Sequence, residues 1–555
     1  MKTRWWALAA LCFAELLVMV DNTIVNVALP TLARDLDAGI SGLQWIVDAY
    51  TLVFAGLLLT GGYLGDRFGH RRMLLTGIAG FAAVSVLAAS SQTLGQLIAA
   101  RAGLGLFAAL VFPATLAIIV AVFVESKERA VAVGVWAATS GIAVAIGPVL
   151  GGWLLENFSW ASVFWVNLPV AAIAVVAIVA VVPGTRPERV ARFDLIGLLL
   201  SVVGLGLLTY SVIEGPHFGW ADPRTIAGLL VAVGALGLFA WWELIIDHPI
   251  LNIRLFANRH FATAAAMISV AFFALFGFIF LITQYFQAVK GYSPFEAGLR
   301  TLPFAIVMAV FSPVAMSLSQ RFGPRPVVVA GAVFMSAGFG VVEVSSRTSG
   351  YWELIIWAMS LMAMGLAFIS GPCTQVIMEA LWPEQAGAGS AVNDTTRELG
   401  GTLGVAVLGS VLTSVYTAGV VDRLSALGLP QALTGLAEES VMAGVEVARQ
   451  APAVAGGQIS VAVQEVFVDG LHSAVWVAVA ITAAAAIVAA YLLRGAPGVP
   501  PVPEERGAGR ASRRAALRDA RSLRSRAPQG SGVGTVDLAL ARSTDDQRQD
   551  IRLAP

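Results

Sequence analysis

One short stretch occurs twice in this chain. Gly62-Tyr-Leu-Gly-Asp66-Arg67-Phe68-Gly69-His-Arg71-Arg72 lies between two long apolar runs. At an offset of 254 residues (position 321 against position 67), Met316-Ser-Leu-Ser-Gln320-Arg321-Phe322-Gly323-Pro-Arg325-Pro lies between two more. Leu64 answers Leu318, Arg67 answers Arg321, Phe68-Gly69 answers Phe322-Gly323, and Arg71 answers Arg325. A repeat of this length inside an apolar chain predicts two membrane halves in the same orientation. The copies part at a charge, since Asp66 in the first is Gln320 in the second.

Hydrophobic residues make up 57% of the chain and charged residues 13%. So few charges cannot clothe a soluble surface, and the composition predicts an integral, all-α membrane protein. Cys12 and Cys373 sit far apart in apolar runs, so neither a disulfide framework nor a metal cluster follows. His70, His217, His248, His260 and His472 are read at loops or helix ends without ligand spacing, and no metal site is expected. No phosphate-binding Gly-x-x-x-x-Gly-Lys, Gly-x-Ser-x-Gly elbow or His-Glu-x-x-His is present. An enzyme therefore has no catalytic constellation here, and neither a cofactor nor a nucleic-acid partner is expected.

A span needs about 20 mostly apolar residues. On that ruler the chain holds fourteen, at about 6–28, 43–64, 73–91, 96–119, 130–154, 163–182, 195–213, 226–246, 262–286, 298–319, 327–344, 352–378, 394–418 and 472–493. The first run follows Lys2 and Arg4 and continues to Val27 without a small-residue cleavage site, so it reads as a retained span. Arginine and lysine concentrate on one side, in the N-terminus and in the loops carrying Arg67/Arg71/Arg72, Lys127/Arg129, Arg186/Arg189/Arg192, Arg254/Arg259 and Arg321/Arg325. That bias places both termini in the cytoplasm. The arrangement is six, two and six: an N-terminal bundle over 1–190, an inserted pair over 191–250 and a C-terminal bundle over 251–493. Residues 419–470 are expected as one long outer loop. Residues 494–555 read as a disordered cytoplasmic tail rich in arginine (Arg506, Arg510, Arg513, Arg514, Arg518, Arg521, Arg524, Arg526), a composition that either reinforces topology or holds anionic lipid.

An ionisable side chain inside the bilayer costs at least a few kcal/mol, so each needs a partner or a purpose. Glu15 and Asp21 in span 1, Asp48 in span 2 and Arg101 in span 4 gather in the first half. A carboxylate poised between desolvation and a neighbouring guanidinium takes a proton on one side and yields it on the other; the alternative is a static Asp–Arg pair locking helices together. In span 5, Gly141, Gly147, Pro148, Gly151 and Gly152 fit either close helix packing or a hinge between moving bundles. Asn393, Asp394, Arg397 and Glu398 at the start of span 13 fit either an interfacial cap or a second polar site.

With these motifs in view, residues 5–493 resemble the fourteen-span drug:proton antiporters of the major facilitator superfamily, the EmrB/QacA type. Asp21-Asn22-Thr23-Ile24-Val25-Asn26-Val27-Ala28-Leu29-Pro30 is similar to that family's helix 1 signature, and Trp45-Ile-Val-Asp48-Ala-Tyr50 to its helix 2 pattern. Gly62 to Leu74 resembles the loop motif in which Asp66, Arg67 and Arg71, with Gly62, Gly69 and Arg72, form a conformation-sensitive charge latch. Arg101 stands where the family has an arginine implicated in proton coupling. Gly141 to Gly152 resembles the antiporter motif, and Asn167-Leu-Pro169, Phe193-Asp194-Leu-Ile-Gly197 and Arg397–Gly401 resemble weaker landmarks. The chain departs at Leu104, Phe107, Ala161 and Glu15. The resemblance implies the major facilitator fold, with two pseudo-symmetric bundles in a bacterial inner membrane, working as a monomer on the proton gradient and needing no cofactor. It implies export of a lipophilic, cationic compound, with Asp21, Asp48, Arg101, Glu15 and Asn26 handling proton or substrate. A dedicated exporter of a self-made natural product and a transporter-like sensor are the alternatives.

Overall fold

In lipid every backbone N–H and C=O must find its partner within the chain, which leaves helices as the default for apolar segments. A computed structural model describes residues 2–123, 125–184, 194–246, 249–251, 253–379 and 386–494, and all its regular elements are helical. The first group is α1 (Lys2–Asp35), α2 (Ile40–Phe68), α3 (His70–Ala89), α4 (Leu94–Val122), α5 (Ser126–Asn157), α6 (Ser162–Trp165) and α7 (Asn167–Val181). The inserted pair is α8 (Leu195–Phe218) and α9 (Pro223–Ile245), followed by a 3-10 turn at Ile253–Ala257. Then come α10 (Arg259–Gln284), α11 (Pro294–Phe322), α12 (Pro324–Glu343), α13 (Ile356–Glu379), α14 (Ala386–Ala426), α15 (Gln431–Glu439), α16 (Val441–Gln450) and α17 (Ala453–Leu492). Single π-turns at Tyr285–Val289 and Tyr351–Ile355 extend α10 and lead into α13.

Thirteen of the described helical segments are long and apolar enough to cross a membrane. They fall at expected spans one to four and six to fourteen; the fifth falls on α5, 32 residues long, whose side chains are described only in part. The side chain of Asp66, the surroundings of Gly141, the arginines at 186, 189 and 192, and the tail from 495 onward lie outside the described residues.

The repeat is visible as structure. Gly69 ends α2 at φ +96° and Gly323 ends α11 at φ +83°, and in both copies the next helix starts at once. Glycine takes such positive φ at no steric cost, so the same residue makes the same turn twice.

Three expectations need correction. Residues 419–470 are not a loop: α14 runs to Ala426, α15 and α16 follow, and α17 begins at Ala453. At 1.5 Å per residue, the 41 residues of α14 and 40 of α17 span roughly twice the ~30 Å hydrocarbon core, so both continue beyond it. Ala and Val without a continuous 20-residue apolar run looked like loop. The helices persist because they pack on each other, with Arg423 of α14 pairing to Glu465 (2.7 Å) and Asp469 (2.9 Å) of α17. Gly428 at φ +75° and the Ser440 side chain, which accepts from the Ala443 N–H, punctuate the short helices. The second correction is that Asn393 and Asp394 lie within α14 rather than at its start, so the capping alternative falls. His472 likewise sits inside α17, not at a helix end, 2.9 Å from the Ser345 carbonyl.

Helices α1–α7 pack chiefly on one another, and so do α10–α17, with seams at α5·α11, α2·α14 and α1·α10. The hydrogen bonds found across these seams cluster toward the end that carries the α1–α2 turn. Gln44 donates to the Val405 and Ala406 carbonyls (3.1 and 2.9 Å), Thr402 to Thr51 (2.9 Å), and Gln287 to the Val27 carbonyl (2.9 Å). The inserted α8 touches both groups there: Trp45 of α2 donates to Glu214 (3.2 Å) and Ser410 of α14 to the Val212 carbonyl (2.6 Å).

In the repeat region the steric demand falls beside the expected glycine. A β-carbon at Gly61 would drive into the Ala109 carbonyl of α4, whereas one at Gly62 would meet only Pro113 at 3.9 Å. Gly61→Ala is expected to cost about 1–3 kcal/mol by overpacking, and Gly62→Ala to be neutral or to gain up to about 1 kcal/mol from helix propensity. Thermal midpoints of the two variants in detergent check this, and equal midpoints would count against the α2–α4 geometry.

Candidate functional site

Arg101 lies on the face of α4 that also buries Leu97, Leu104, Gly105 and Ala108. A β-carbon at Gly105 would drive into the Tyr50 carbonyl, so its absence lets α2 close over the guanidinium. Arg101 Nη1 meets Asp21 Oδ2 of α1 at 2.7 Å, with both side chains 0% exposed. The Nε–H donates to the Ile46 carbonyl at 2.9 Å, and the guanidinium stacks over the Tyr50 ring, 4.3 Å from its centroid. Asp21 Oδ1 accepts from Asn167 Nδ2 of α7 (2.7 Å), whose amide also reaches Ser85 Oγ of α3 (3.1 Å). The Tyr50 hydroxyl donates to the Val18 carbonyl at 3.3 Å. One charge pair is therefore held by five helices, and among the described residues Arg101 Nη2 is the group of the pair that finds no hydrogen-bond partner.

Asp48 is different. It is 0% exposed, and neither carboxylate oxygen meets a donor among the described residues. It lies on α2 between Gln44 and Thr51, the two residues bonded to α14, and so belongs to the helix face on that seam. A buried ion without partners is prohibitively costly, whereas a neutral acid is not. Asp48 therefore differs from Asp21 in lacking any fixed counter-charge. Glu15 is also fully buried in α1. Asn26 donates to the Asn22 carbonyl (3.0 Å), while the buried Oδ1 atoms of both asparagines meet no donor among the described residues.

On α14, Asn393 accepts from Thr374 (3.0 Å) and donates to Asp394 (3.2 Å). Arg397 reaches Ser370 (3.3 Å) and lies over the Phe272 ring at 5.1 Å. Glu398 is 9% exposed with Oε2 lacking a donor, one turn from the seam residue Thr402.

The remaining sequence candidates lie elsewhere. Arg67 donates to the Tyr63 hydroxyl (3.1 Å), Arg71 to the Val179 carbonyl of α7 (2.9 Å), and Arg72 is exposed. The α5 glycines divide between two neighbours. β-Carbons at Gly147 and Gly151 would strike Thr23 and Ile24 of α1, and one at Gly152 would strike Pro294 and Phe295 of α11. The Pro148 carbonyl blocks a β-carbon at Gly298 in the same way. The motif thus packs α1 on one side and forms part of the α5·α11 seam on the other.

Sequence reasoning missed Tyr50, Ser85, Gln44, Thr51 and Thr402 as parts of the site. Gln44, Asp48 and Thr51 at helical spacing carried a readable signal; Tyr50 stood in the helix 2 pattern without an assigned role, and Ser85 carried no signal.

The sequence profile described as Major Facilitator Superfamily matches residues 11–405. The chain is 37% identical over 417 residues to multidrug resistance protein Stp of Mycobacterium tuberculosis (strain CDC 1551 / Oshkosh), covering 75% of this chain and 77% of that one. It is 32% identical over 498 residues to the tetracenomycin C resistance and export protein of Streptomyces glaucescens, covering 89% and 92%. Among solved structures it resembles a bacterial homolog of the human lysosomal transporter Spinster in an inward-facing, unoccupied conformation. The TM-score is 0.62 at 17% identity, covering 89% of this chain and 99% of that one, a likeness of fold.

Removing one partner of a buried ion pair strands the other, at about 3–5 kcal/mol. Arg101→Ala is expected to lower stability by that order, and Asp21→Asn/Arg101→Gln to recover part of it. Thermal melts of the purified variants decide; an Arg101→Ala midpoint equal to wild type would sink the pairing.

Proposed function

The chain belongs to the Major Facilitator Superfamily, and from that premise we propose how its buried charges drive transport. It is a multi-pass membrane protein of the drug-efflux type, a transporter of small molecules. The observation that carries the proposal is the Asp21–Arg101 pair, fully buried and braced by Asn167 and Tyr50.

Asp21 is the proton-coupling carboxylate. Ionised, it holds Arg101 and through it α1, α2, α3, α4 and α7. Protonated, it loses the charge term of that bond, and the first bundle relaxes. Arg101 sets the proton affinity of Asp21 without carrying the proton, since guanidinium does not give one up. Asp48, with no counter-charge and on the seam face of α2, is the second proton acceptor, and Glu398 of α14 is its counterpart in the other bundle. Asn22 and Asn26 offer acceptor oxygens to a lipophilic, cationic substrate. Gly61 to Arg72 and the α5 glycines govern how the two bundles, about 1–190 and 251–493, rock about the site, with α8–α9 between them. By the arginine bias the α1–α2 turn faces outward. The polar seams therefore close the outer side, and the described state is the inward-facing one that releases a proton and accepts drug. The unit works as a monomer on the proton gradient.

A second reading has one observation in its favour. The relative from Streptomyces glaucescens is named for both resistance and export of tetracenomycin C, which supports a dedicated exporter of a self-made product with the same mechanism.

Energised inverted vesicles, followed with a pH-gradient dye, test the coupling. Lipophilic cations are expected to discharge the gradient in wild type and to fail in Asp21→Asn, with at least a tenfold loss of rate. A response to neutral polycyclic antibiotics alone would favour the second reading, and undiminished discharge by Asp21→Asn would refute the coupling assignment. The seam predicts a second result. A β-carbon at Gly409 would sit 3.0 Å from Gln44 Cγ, so Gln44→Cys/Gly409→Cys should form a disulfide that stops efflux until reductant is added. Free efflux by the oxidised pair would show that this seam need not open.

A further inference from the structure

The inserted hairpin carries a pair of acids that the transport cycle above does not use. Asp194 caps α8: its Oδ1 accepts from the Gly197 N–H and from Trp242 Nε1 of α9, both at 2.9 Å. Glu243, the next residue on α9, accepts from the Leu251 N–H through Oε2 at 3.2 Å. Asp194 is 4% exposed and Glu243 is 2% exposed. The remaining oxygens, Asp194 Oδ2 and Glu243 Oε1, find no donor among the described residues, yet both converge over Gly197. A β-carbon there would touch Asp194 Oδ2 and lie 2.6 Å from Glu243 Oε1.

Two facing carboxylate oxygens without a donor cannot both stay ionised in a buried site; the stable arrangement shares one proton between them. Among the described residues, the charged groups around the pair do not offer another solution. Helix α9 packs chiefly on α8 and the 253–257 turn. Asp194 is the charge at the near end of α8, whose Glu214 and His217 lie at its far end. On the turn, Arg254 donates to the Leu244 carbonyl at 2.6 Å. Arg224 lies at the far end of α9. Gly197 is the residue that lets the two oxygens meet, because any side chain would part them.

We propose that Asp194 and Glu243 form a proton-binding dyad that clamps the base of the α8–α9 hairpin to the chain entering α10. The bound proton bridges the N-cap of α8 to α9, and Glu243 in turn holds Leu251 of the following segment. Loss of the proton sets two carboxylates against each other and releases that joint. The site is independent of the Asp21–Arg101 centre.

The sign of the linkage follows. A carboxyl pair that keeps a proton in the folded protein but loses it readily in the unfolded chain stabilises the fold at low pH. That contribution vanishes as pH rises through the dyad's own titration. The test uses the purified full-length protein in an Asp21→Asn background, which removes the central carboxylate from the readout. Infrared difference spectra across an alkaline pH step should lose one protonated-carboxyl C=O band, absent from the same step in Glu243→Gln and in Asp194→Asn. The thermal midpoint should fall by several degrees across that step, while Glu243→Gln, a mimic of the neutral acid, stays level. Gly197→Ala, which parts the oxygens but leaves both acids, should flatten the dependence at a lower midpoint. Identical bands and identical pH profiles in parent and Glu243→Gln would overturn the proposal. So would a midpoint that rises with sodium or potassium against choline only when both acids are present, which would make the bound ion a metal cation rather than a proton.

Discussion

Everything in the first bundle converges on one ion pair that has left water. Burying a carboxylate and a guanidinium costs several kcal/mol each, and the attraction between them repays this only if their other hydrogen-bonding capacity is also met. Here the Ile46 carbonyl, the Tyr50 ring and the Asn167 amide meet most of it, leaving Arg101 Nη2 without a hydrogen-bond partner among the described residues, and those supporting groups come from helices that must be in place together. The pair cannot be satisfied by part of the bundle. That interdependence is also what makes it a switch in the proposed cycle: a proton on Asp21 removes a charge on which five helices have a common claim.

The seams obey a different logic. Gln44, Thr51 and Gln287 reach across to backbone carbonyls or to a hydroxyl, giving neutral hydrogen bonds worth on the order of 1 kcal/mol each. Such contacts close a surface without fusing it. Asp48 lies among them with no partner among the described residues, so its protonation state bears directly on whether that face of α2 can stay buried. Glycines serve the same end at α5·α11, where Gly152 and Gly298 let two backbones come close together. The inserted hairpin is tied to both sides of this interface through Trp45–Glu214 and Ser410–Val212, so it cannot be a passive spacer between the bundles.

The site was half legible. Asp21, Asp48 and Arg101 announced themselves because a charge in an apolar run has few explanations, and Asn167 was marked by a motif. Ser85 was not, because a serine in a membrane helix is ordinary until its neighbour is known; Tyr50 stood in the helix 2 pattern, but its place over Arg101 could not be read there. Gly62 was chosen over Gly61 for a related reason: the motif names the first, and only the position of the Ala109 carbonyl singles out the second. The helical region over 419–470 was misread because its stability comes from packing between α14 and α17, and a window of hydropathy does not see a partner that distant in the chain.

Sequence by itself settled what depends on solvent and on local backbone geometry. The apolar runs had to be membrane helices because unpaired peptide groups are intolerable in hydrocarbon. The two repeat copies had to turn alike because Gly69 and Gly323 reach a positive φ that other residues resist. Tertiary structure decided which buried charges have partners. Asp21 and Asp48 look alike in sequence, two acids in apolar helices, but one is matched at 2.7 Å and the other meets no donor. Electrostatic energy inside a low-dielectric interior turns on distances of a few ångströms, set by helices far apart in the chain and invisible along it.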